Sequence, residues 1–409
     1  MRAFACSQFF VFALLLGMPA GAGVPAANTP PSDPGLDRSI WITRWDFQSA
    51  EDVERAIRWC GALGFDRVFF QVRGQGDAYY HSRLEPRAER LQGKPDFDPL
   101  AVALEAGRVA NVKVHAWVNV LPAWKGIKRP KDPGHVLHQH PEWFMTDRAG
   151  HQDLTSKGGH YTILNPCLPE VRAYIASVVR DLTSRYAVDG VHFDYVRFAG
   201  RSPGTAADYP YDPYSLRLFR RYSGTSPFDD EEAWDRWRRL SVNTLLFRIA
   251  QTVRETLPSA HVSVAVLPDF ERARKLFFQD TESWCASGWV DEIVPMSYRQ
   301  DAASFGRQVR DAVAKSHGVP VSAGIGVYLF ESPEMLHRQI TQAERLGASG
   351  HSLFAFSNFF PSPSHESKKD ARSVQLRRAL RATLIESGTM QSANPAPTRQ
   401  RGATGLASR

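Results

Sequence analysis

The chain has 409 residues, of which 43% are hydrophobic and 23% charged, an ordinary globular composition with room for one large barrel or two to three smaller domains. The formal charge of +7 is not gathered into a dense Lys/Arg block beside an aromatic platform, so nucleic acid is not an expected partner. Ten Trp and twelve Tyr are a generous aromatic supply, which large cores and sugar-binding clefts both use.

Residues 1–22 read as a secretory signal: Arg2 precedes the apolar run 9–18 (FFVFALLLGM), and Ala20-Gly21-Ala22 fits a small-residue cleavage site. The run is too short for a comfortable membrane span, so no stable insertion is expected after cleavage, and the chain is expected to be secreted or periplasmic. Cys6 lies before the run and is not placed for a lipid anchor. Residues 23–38 read as a Pro- and Ala-rich linker. The remaining Cys60, Cys167 and Cys285 match no zinc spacing and are expected mostly as buried free thiols.

From there strand-like runs alternate with helical stripes. The predicted strands are 39–45 (SIWITRW), 67–73 (RVFFQVR), 113–119 (KVHAWVN), 189–195 (DGVHFDY), 261–267 (HVSVAVL), 291–298 (DEIVPMSY), 319–326 (VPVSAGIG) and 350–356 (GHSLFAF). The predicted helices are 50–63, 100–110, 168–186, 233–257, 280–288, 304–316, 334–346 and 370–386. Long loops follow strands 3 and 4 (120–165 and 199–232); loops of that length in a compact fold are usually functional or carry small elements of their own. Residues 387–409 read as a disordered tail. Eight βα units over 39–386 predict a single α/β (β/α)₈ TIM barrel, larger than usual because of those two loops. A doubly wound sheet would want a Gly-rich phosphate loop after strand 1, where this chain has RWDFQSAED.

Strand 4 organises the site. Val191, Phe193 and Tyr195 share one parity and His192 and Asp194 the other, as expected of a barrel strand with an apolar face towards helices and a polar face towards the lumen. On strand 3, His115, Trp117 and Asn119 share a face; on strand 2, Phe69, Gln71 and Arg73 do. Barrels of this type keep their chemistry at the carboxyl ends of the strands, and there the sequence also supplies Arg44, Asp77, Arg197, Asp269 and Tyr298. Carboxylates among aromatics, Arg and Asn are what glycoside hydrolysis needs: one carboxyl to protonate the leaving oxygen, another as base or nucleophile. Asp194 is the first choice for catalysis, with Asp269 and Asp280 as candidate partners; either residue can instead be a helix cap, a reading at least as strong as the catalytic one for Asp280. Gln71, Arg73, Asp77, His115, Trp117, Asn119, His192, Arg197 and Tyr298 are the candidate substrate-binding residues. No cofactor is expected. The H-x-x-H-x-H of His135, His138 and His140 is too nonspecific to name a metal site, and no GxSxG supports a serine nucleophile.

Several stretches resemble the glycosyl-hydrolase-like 10 family of bacterial secreted barrels. They are 68–86 (VFFQVRGQGDAYYHSRLEP), 97–119 (FDPLAVALEAGRVANVKVHAWVN), 140–144 (HPEWF), 164–175 (LNPCLPEVRAYI), 186–198 (YAVDGVHFDYVRF), 279–298 (QDTESWCASGWVDEIVPMSY) and 321–328 (VSAGIGVY). Each is weak alone; their common order is specific. The resemblance implies a TIM barrel acting on, or binding, bacterial envelope polysaccharide, including peptidoglycan glycan strands stripped of peptides. Asp194 falls on the first carboxylate of the family's FDDY-type motif and Asp280 on an Asp before the helix-5 Trp, here Trp284. The chain departs from the pattern at Tyr195, where many members have a second Asp, and in MSY (296–298), where many have PQIY.

The leading expectation is a glycoside hydrolase using carboxylate acid/base chemistry on a polysaccharide or glycan strand. A non-catalytic glycan-binding barrel and a metal-dependent polysaccharide deacetylase are the alternatives.

Overall fold

The computed structural model describes residues 37–152, 154, 160–200, 208–363 and 370–386. The signal and tail readings lie outside the described residues, as does the linker up to residue 36. Eight parallel strands form one sheet: β1 (Asp37–Ile42), β2 (Arg67–Arg73), β3 (Lys113–Asn119), β4 (Gly190–Asp194), β5 (His261–Val266), β6 (Glu292–Pro295), β7 (Ser322–Gly326) and β8 (Gly350–Phe354). Their spatial order is β6-β5-β4-β3-β2-β1-β8-β7. Parallel bridges Ile293–Val321 and Met296–Gly324 join β6 to β7, so the sheet curls into a nearly closed TIM barrel.

Period-two alternation separates two apolar compartments. Ile40, Ile42, Val68, Phe70, Val114, Ala116, Val191 and Phe193 point outward into the large core shared with the helices. Trp41, Phe69, Trp117, Val294 and Ala355 make a small aromatic core inside the barrel. The lumen is packed in layers. At the amino end Arg67 pairs with Glu292, which His261 also contacts at 3.1 Å. In the middle His192 stacks on Phe69 with ring centroids 3.8 Å apart. Gln71, Trp117, Asn119 and Asp194 come at the open carboxyl end.

The helices lie where the apolar stripes put them: α1 (Ala50–Ala62), α2 (Pro99–Ala110), α3 (Pro169–Thr183), α4 (Pro213–Ser223), α5 (Glu231–Thr256), α6 (Phe270–Leu276), α7 (Thr281–Ala286), α8 (Ala302–Ala314), α9 (Glu334–Arg345) and α10 (Asp370–Glu386). Local chemistry sets their ends. Ser49 accepts the Asp52 N–H to start α1, and Asp98 with Pro99 starts α2. The sequence reading missed α4 and α6. The 120–165 loop does carry small elements, an antiparallel ribbon of Pro122–Trp124 with Thr162–Ile163 and a helical turn at Val136–Gln139. Cys60, Cys167 and Cys285 are buried free thiols. Among the described residues no helix is long and apolar enough to cross a membrane.

Candidate active site

The barrel's carboxyl end opens into a cleft of about 250 Å³. Asp194, the last residue of β4, stands in its wall and is only 6% exposed. Its Oδ1 accepts the Tyr195 N–H at 2.6 Å, and its backbone carbonyl accepts from Val120 N at 2.8 Å, which fastens the strand end to the loop after β3. Burial pushes the Asp194 carboxyl up to about 6, against the opposing pull of the Arg197 guanidinium and of the Tyr195 and Trp117 N–H dipoles. The Trp117 indole N–H completes no hydrogen bond of its own, so its effect on the carboxyl is a longer-range one. A carboxyl held near 6 exchanges a proton close to neutral pH, as a general acid/base requires. Asp194 is the one carboxylate lining this cleft among the described residues.

Around Asp194 the cleft has two unlike sides. One is aromatic: Tyr298 lies 5.6 Å from Phe354 and 6.0 Å from the half-exposed Tyr328. Gly326 makes room for this packing, because a Cβ there would stand 2.9 Å from Tyr298 Cβ. The other side is cationic. Arg44, buried at 2% exposure, donates to Tyr161 Oη at 3.0 Å, and Lys125 Nζ sits 5.4 Å from the centroid of the same ring. Arg197 stacks over Tyr195 at 4.5 Å. Asn119 faces the cleft with its Nδ2 tied to Gly74 O at 3.0 Å, and Gln71 Oε1 accepts from Arg44 N at 3.1 Å.

The structure therefore gathers seven of the residues singled out from sequence: Arg44, Gln71, Trp117, Asn119, Asp194, Arg197 and Tyr298. Six others lie outside the cleft wall, each for a local reason. Arg73 is turned away at an irregularity in the β2–β3 register and is locked to the buried Glu85. Asp77 takes the Gln75 N–H at 3.0 Å and folds its own loop. His115 sits low in the barrel against Gly190, where a Cβ would come within 2.6 Å of its ring. His192 lies one layer beneath the cleft between Trp41 and Ser263, held neutral because burial drives it down to about 3. Asp269 is an exposed cap of α6, accepting from Arg272 N. Asp280 precedes α7 in a separate hollow of about 400 Å³, 3.4 Å from Arg274 Nε. Neither Asp269 nor Asp280 is a partner across the cleft from Asp194.

Seven cleft residues are not among those the sequence singles out: Trp41, Thr43, Trp45, Tyr161, Tyr195, Met296 and Phe354. Trp41 and Phe354 carry the lumen parity of their strands and were legible in principle. Tyr161 comes from an aperiodic loop. Strand parity predicts Tyr195 on the helix-facing side, but β4 ends at Asp194 and Tyr195 takes φ 56°, which turns its ring into the cleft. The loop histidines are all engaged locally: His135 with Gln75 O and Leu137 N, His138 with Pro130 O, and His140 stacked on Trp143. No group of three His, Cys, Asp or Glu side chains among the described residues is arranged to hold a metal ion.

Comparison with known proteins matches residues 37–333 to the family described as Glycosyl hydrolase-like 10. The chain belongs to this family. It is 27% identical over 344 residues to the glycosyl hydrolase DigH of Escherichia coli K12, covering 73% of this chain and 72% of DigH. It is 26% identical over 259 residues to the glycosyl hydrolase YngK of Bacillus subtilis, covering 58% of this chain and 46% of that protein. The glycoside hydrolase domain of PgaB (BpsB) from Bordetella bronchiseptica superposes with a TM-score of 0.57 at 17% identity, over 83% of this chain and 99% of that one. An α-L-fucosidase from Paenibacillus thiaminolyticus gives 0.61 at 15% identity, over 87% and 50%. At those identities the structural likeness is one of fold. The family match, taken with DigH, makes this chain an enzyme of the glycoside hydrolase type.

Proposed function

We propose that this barrel hydrolyses glycosidic bonds in a bacterial envelope polysaccharide, with peptidoglycan glycan strands as the leading substrate, outside the cytoplasm and after loss of residues 1–22. The observation that carries the proposal is Asp194: a buried carboxyl raised to about 6, in the wall of a cleft that also offers aromatic rings and polar side chains. Rings stack on sugar faces; Asn, Gln and Arg hydrogen-bond hydroxyls. Kinship with DigH supports the reaction type. The start of the sequence, with its charged residue, apolar run and small-residue site, supports the location.

With Asp194 as the single carboxylate lining the cleft among the described residues, the chemistry that fits is substrate-assisted, which needs no second protein carboxylate when the sugar carries an N-acetyl group. The acetamido oxygen attacks the anomeric carbon as the glycosidic C–O bond breaks, and Asp194 gives its proton to the leaving oxygen. Water then opens the resulting oxazolinium ion while Asp194 takes back a proton. The Asp194 carboxyl serves first as acid and then as base, and a value near 6 suits both.

The test is incubation of wild-type and Asp194→Asn protein with peptide-free peptidoglycan strands and a panel of other bacterial polysaccharides, with products read by mass spectrometry. Shortened chains from wild type alone are expected. Binding without shortening would overturn the hydrolytic reading, and loss of acetyl groups without shortening would replace it with deacetylation.

A further inference from the structure

Arg73, the last residue of β2, is buried at 1% exposure and lies outside the cleft wall, yet its guanidinium is tied to the strand end that carries Asp194. Its Nη2 donates to Glu85 Oε1 at 2.7 Å and its Nε to Glu85 Oε2 at 2.8 Å, and Tyr174 Oη donates to Oε1 at 2.8 Å, which fixes the plane of the fork. That leaves Nη1, which donates to three backbone carbonyls of the turn after β3: Asn119, Val120 at 3.1 Å and Pro122 at 3.2 Å. Answering buried carbonyls is by itself a stabilising role. What sets this guanidinium apart is the peptide unit it holds. The Asn119 carbonyl and the Val120 N–H belong to one peptide plane, and that N–H donates to the Asp194 carbonyl at 2.8 Å. The Asp194 carbonyl and the Tyr195 N–H belong to another, and that N–H donates to Asp194 Oδ1 at 2.6 Å. One line of hydrogen bonds therefore runs from the Arg73 cation through two peptide units onto the carboxyl. The Asn119 side chain, in the cleft wall, is fastened at the same point, its Nδ2 donating to Gly74 O at 3.0 Å.

We infer that Arg73 is a positioning residue for Asp194, which it does not touch: it orients and polarises the Tyr195 N–H that holds Oδ1. Hydrogen bonds in series strengthen one another, and a cation at the head of the line makes each following N–H a better donor. The Tyr195 N–H favours the ionised carboxyl, so Arg73 works against the burial that raises Asp194 and keeps its proton exchangeable near neutral pH. The line also fixes the carboxyl in one orientation through Oδ1, and a displacement of ~1 Å in a catalytic group can cost ~100-fold in rate. The inference rests on the proposed reading of Asp194 as the acid and base of a glycan hydrolase.

The experiment compares wild type with Arg73→Met/Glu85→Leu, which deletes the donor to the Asn119 carbonyl while leaving the net charge of the pair at zero. The Asp194 carboxyl is titrated by NMR in protein with isotope-labelled Asp, its signal assigned through Asp194→Asn, and kcat and KM are measured on peptide-free glycan strands. We expect the titration midpoint to rise by ~0.3 unit or more, the alkaline decline of the rate to move up with it, and kcat to fall ~10- to 100-fold while KM changes less than ~3-fold. A role confined to stability would leave the midpoint and the pH profile of the folded variant where they are. Wild type supplies a readout that needs no variant, should the double replacement fail to fold: the Tyr195 and Val120 amide protons should titrate with the midpoint of the carboxyl. A folded double variant with an unchanged Asp194 midpoint, or a wild-type Val120 amide that does not respond across that midpoint, would overturn the positioning role and leave the hydrolase reading standing. A shifted midpoint, with no glycan cut by wild type, would overturn the hydrolase reading and leave the positioning of Asp194 standing.

Discussion

Replacing Asp194 with Asn should make the protein more stable while removing its activity, and the size of the gain depends on pH. The folded-state carboxyl is raised from 3.8 to about 6, so ionising it in place is disfavoured by about 3 kcal/mol relative to the unfolded chain. The sign follows from linkage. The folded state holds its proton more tightly than the unfolded state between those two values, so stability is lost as pH rises through that window and stays lost above it. Asn keeps the shape and can still accept the Tyr195 N–H, but it carries no charge to bury. At pH 7.5 the variant should gain ~1–3 kcal/mol, a rise in thermal midpoint of roughly 2–6 °C for a domain of this size. At pH 4 the two proteins should melt together. Differential scanning calorimetry at both pH values checks this, alongside glycan cleavage, which should fall at least ~100-fold. A variant equally shifted at both pH values, or destabilised at pH 7.5, would refute the assignment of a buried, proton-holding carboxyl to this position.

For wild type, kcat/KM on a glycan should decline as pH rises above about 6, because the donor form of Asp194 is lost there; a pH–rate profile flat from 5 to 8 would oppose that role. Tyr195→Asp should fold well, since Asp tolerates the positive φ of 56° better than Tyr does, and its new carboxylate should push Asp194 further up and move the alkaline decline to higher pH. Arg73→Met strands the buried Glu85 without its partner and should cost about 3–5 kcal/mol in chemical denaturation; the double replacement Arg73→Met/Glu85→Leu should recover most of that loss.

The barrel was legible because its information is local and periodic. Strands such as Arg67–Arg73 and Lys113–Asn119 alternate cleanly, and Gly64 and Asn111, at φ 79° and 53°, close the helices before them. The short helices Pro213–Ser223 and Phe270–Leu276 were missed because they lie in loop-like sequence and pack only one narrow stripe. In the site, parity located Gln71, Trp117, Asn119 and Asp194 while the strands stayed regular, and failed where they did not. Arg73 lies at the β2–β3 irregularity, and Tyr195 at the left-handed exit of β4. Parity also carries no information about height along the barrel axis. His115 and His192 share the lumen face with Asn119 and Asp194 but sit one or two layers lower, sealed from the cleft. Asp269 and Asp280 follow strand 5 in the chain, yet residues past a strand end are placed by the loop, and this loop runs into α6 and α7.

Charge is distributed unevenly along the barrel axis, and that asymmetry ties stability to chemistry. At the amino end the buried charges are answered: Arg67 pairs with Glu292, His261 adds a contact at 3.1 Å, and the Glu292 carboxyl is held far below its ordinary range despite burial. Beside the cleft, Arg73 and Glu85 are answered as well, with Tyr174 Oη donating to Glu85 at 2.8 Å. At the carboxyl end the cleft-lining Arg44, Arg197 and Asp194 form no such close ion pair among the described residues, although single unpartnered atoms such as Arg67 Nε occur at the amino end too. Arg44 Nε, Arg197 Nε, Trp117 Nε1 and Asn119 Oδ1 are all buried without partners around a single raised carboxyl. A fold optimised only for stability would pair or replace these groups, since each buried unsatisfied polar atom costs on the order of 1–3 kcal/mol. All four belong to residues that line the cleft, so the unanswered groups gather where the proposed reaction takes place. The hydrolytic proposal draws on that lining, with Asp194 as the group proposed to decide whether the glycan is cut.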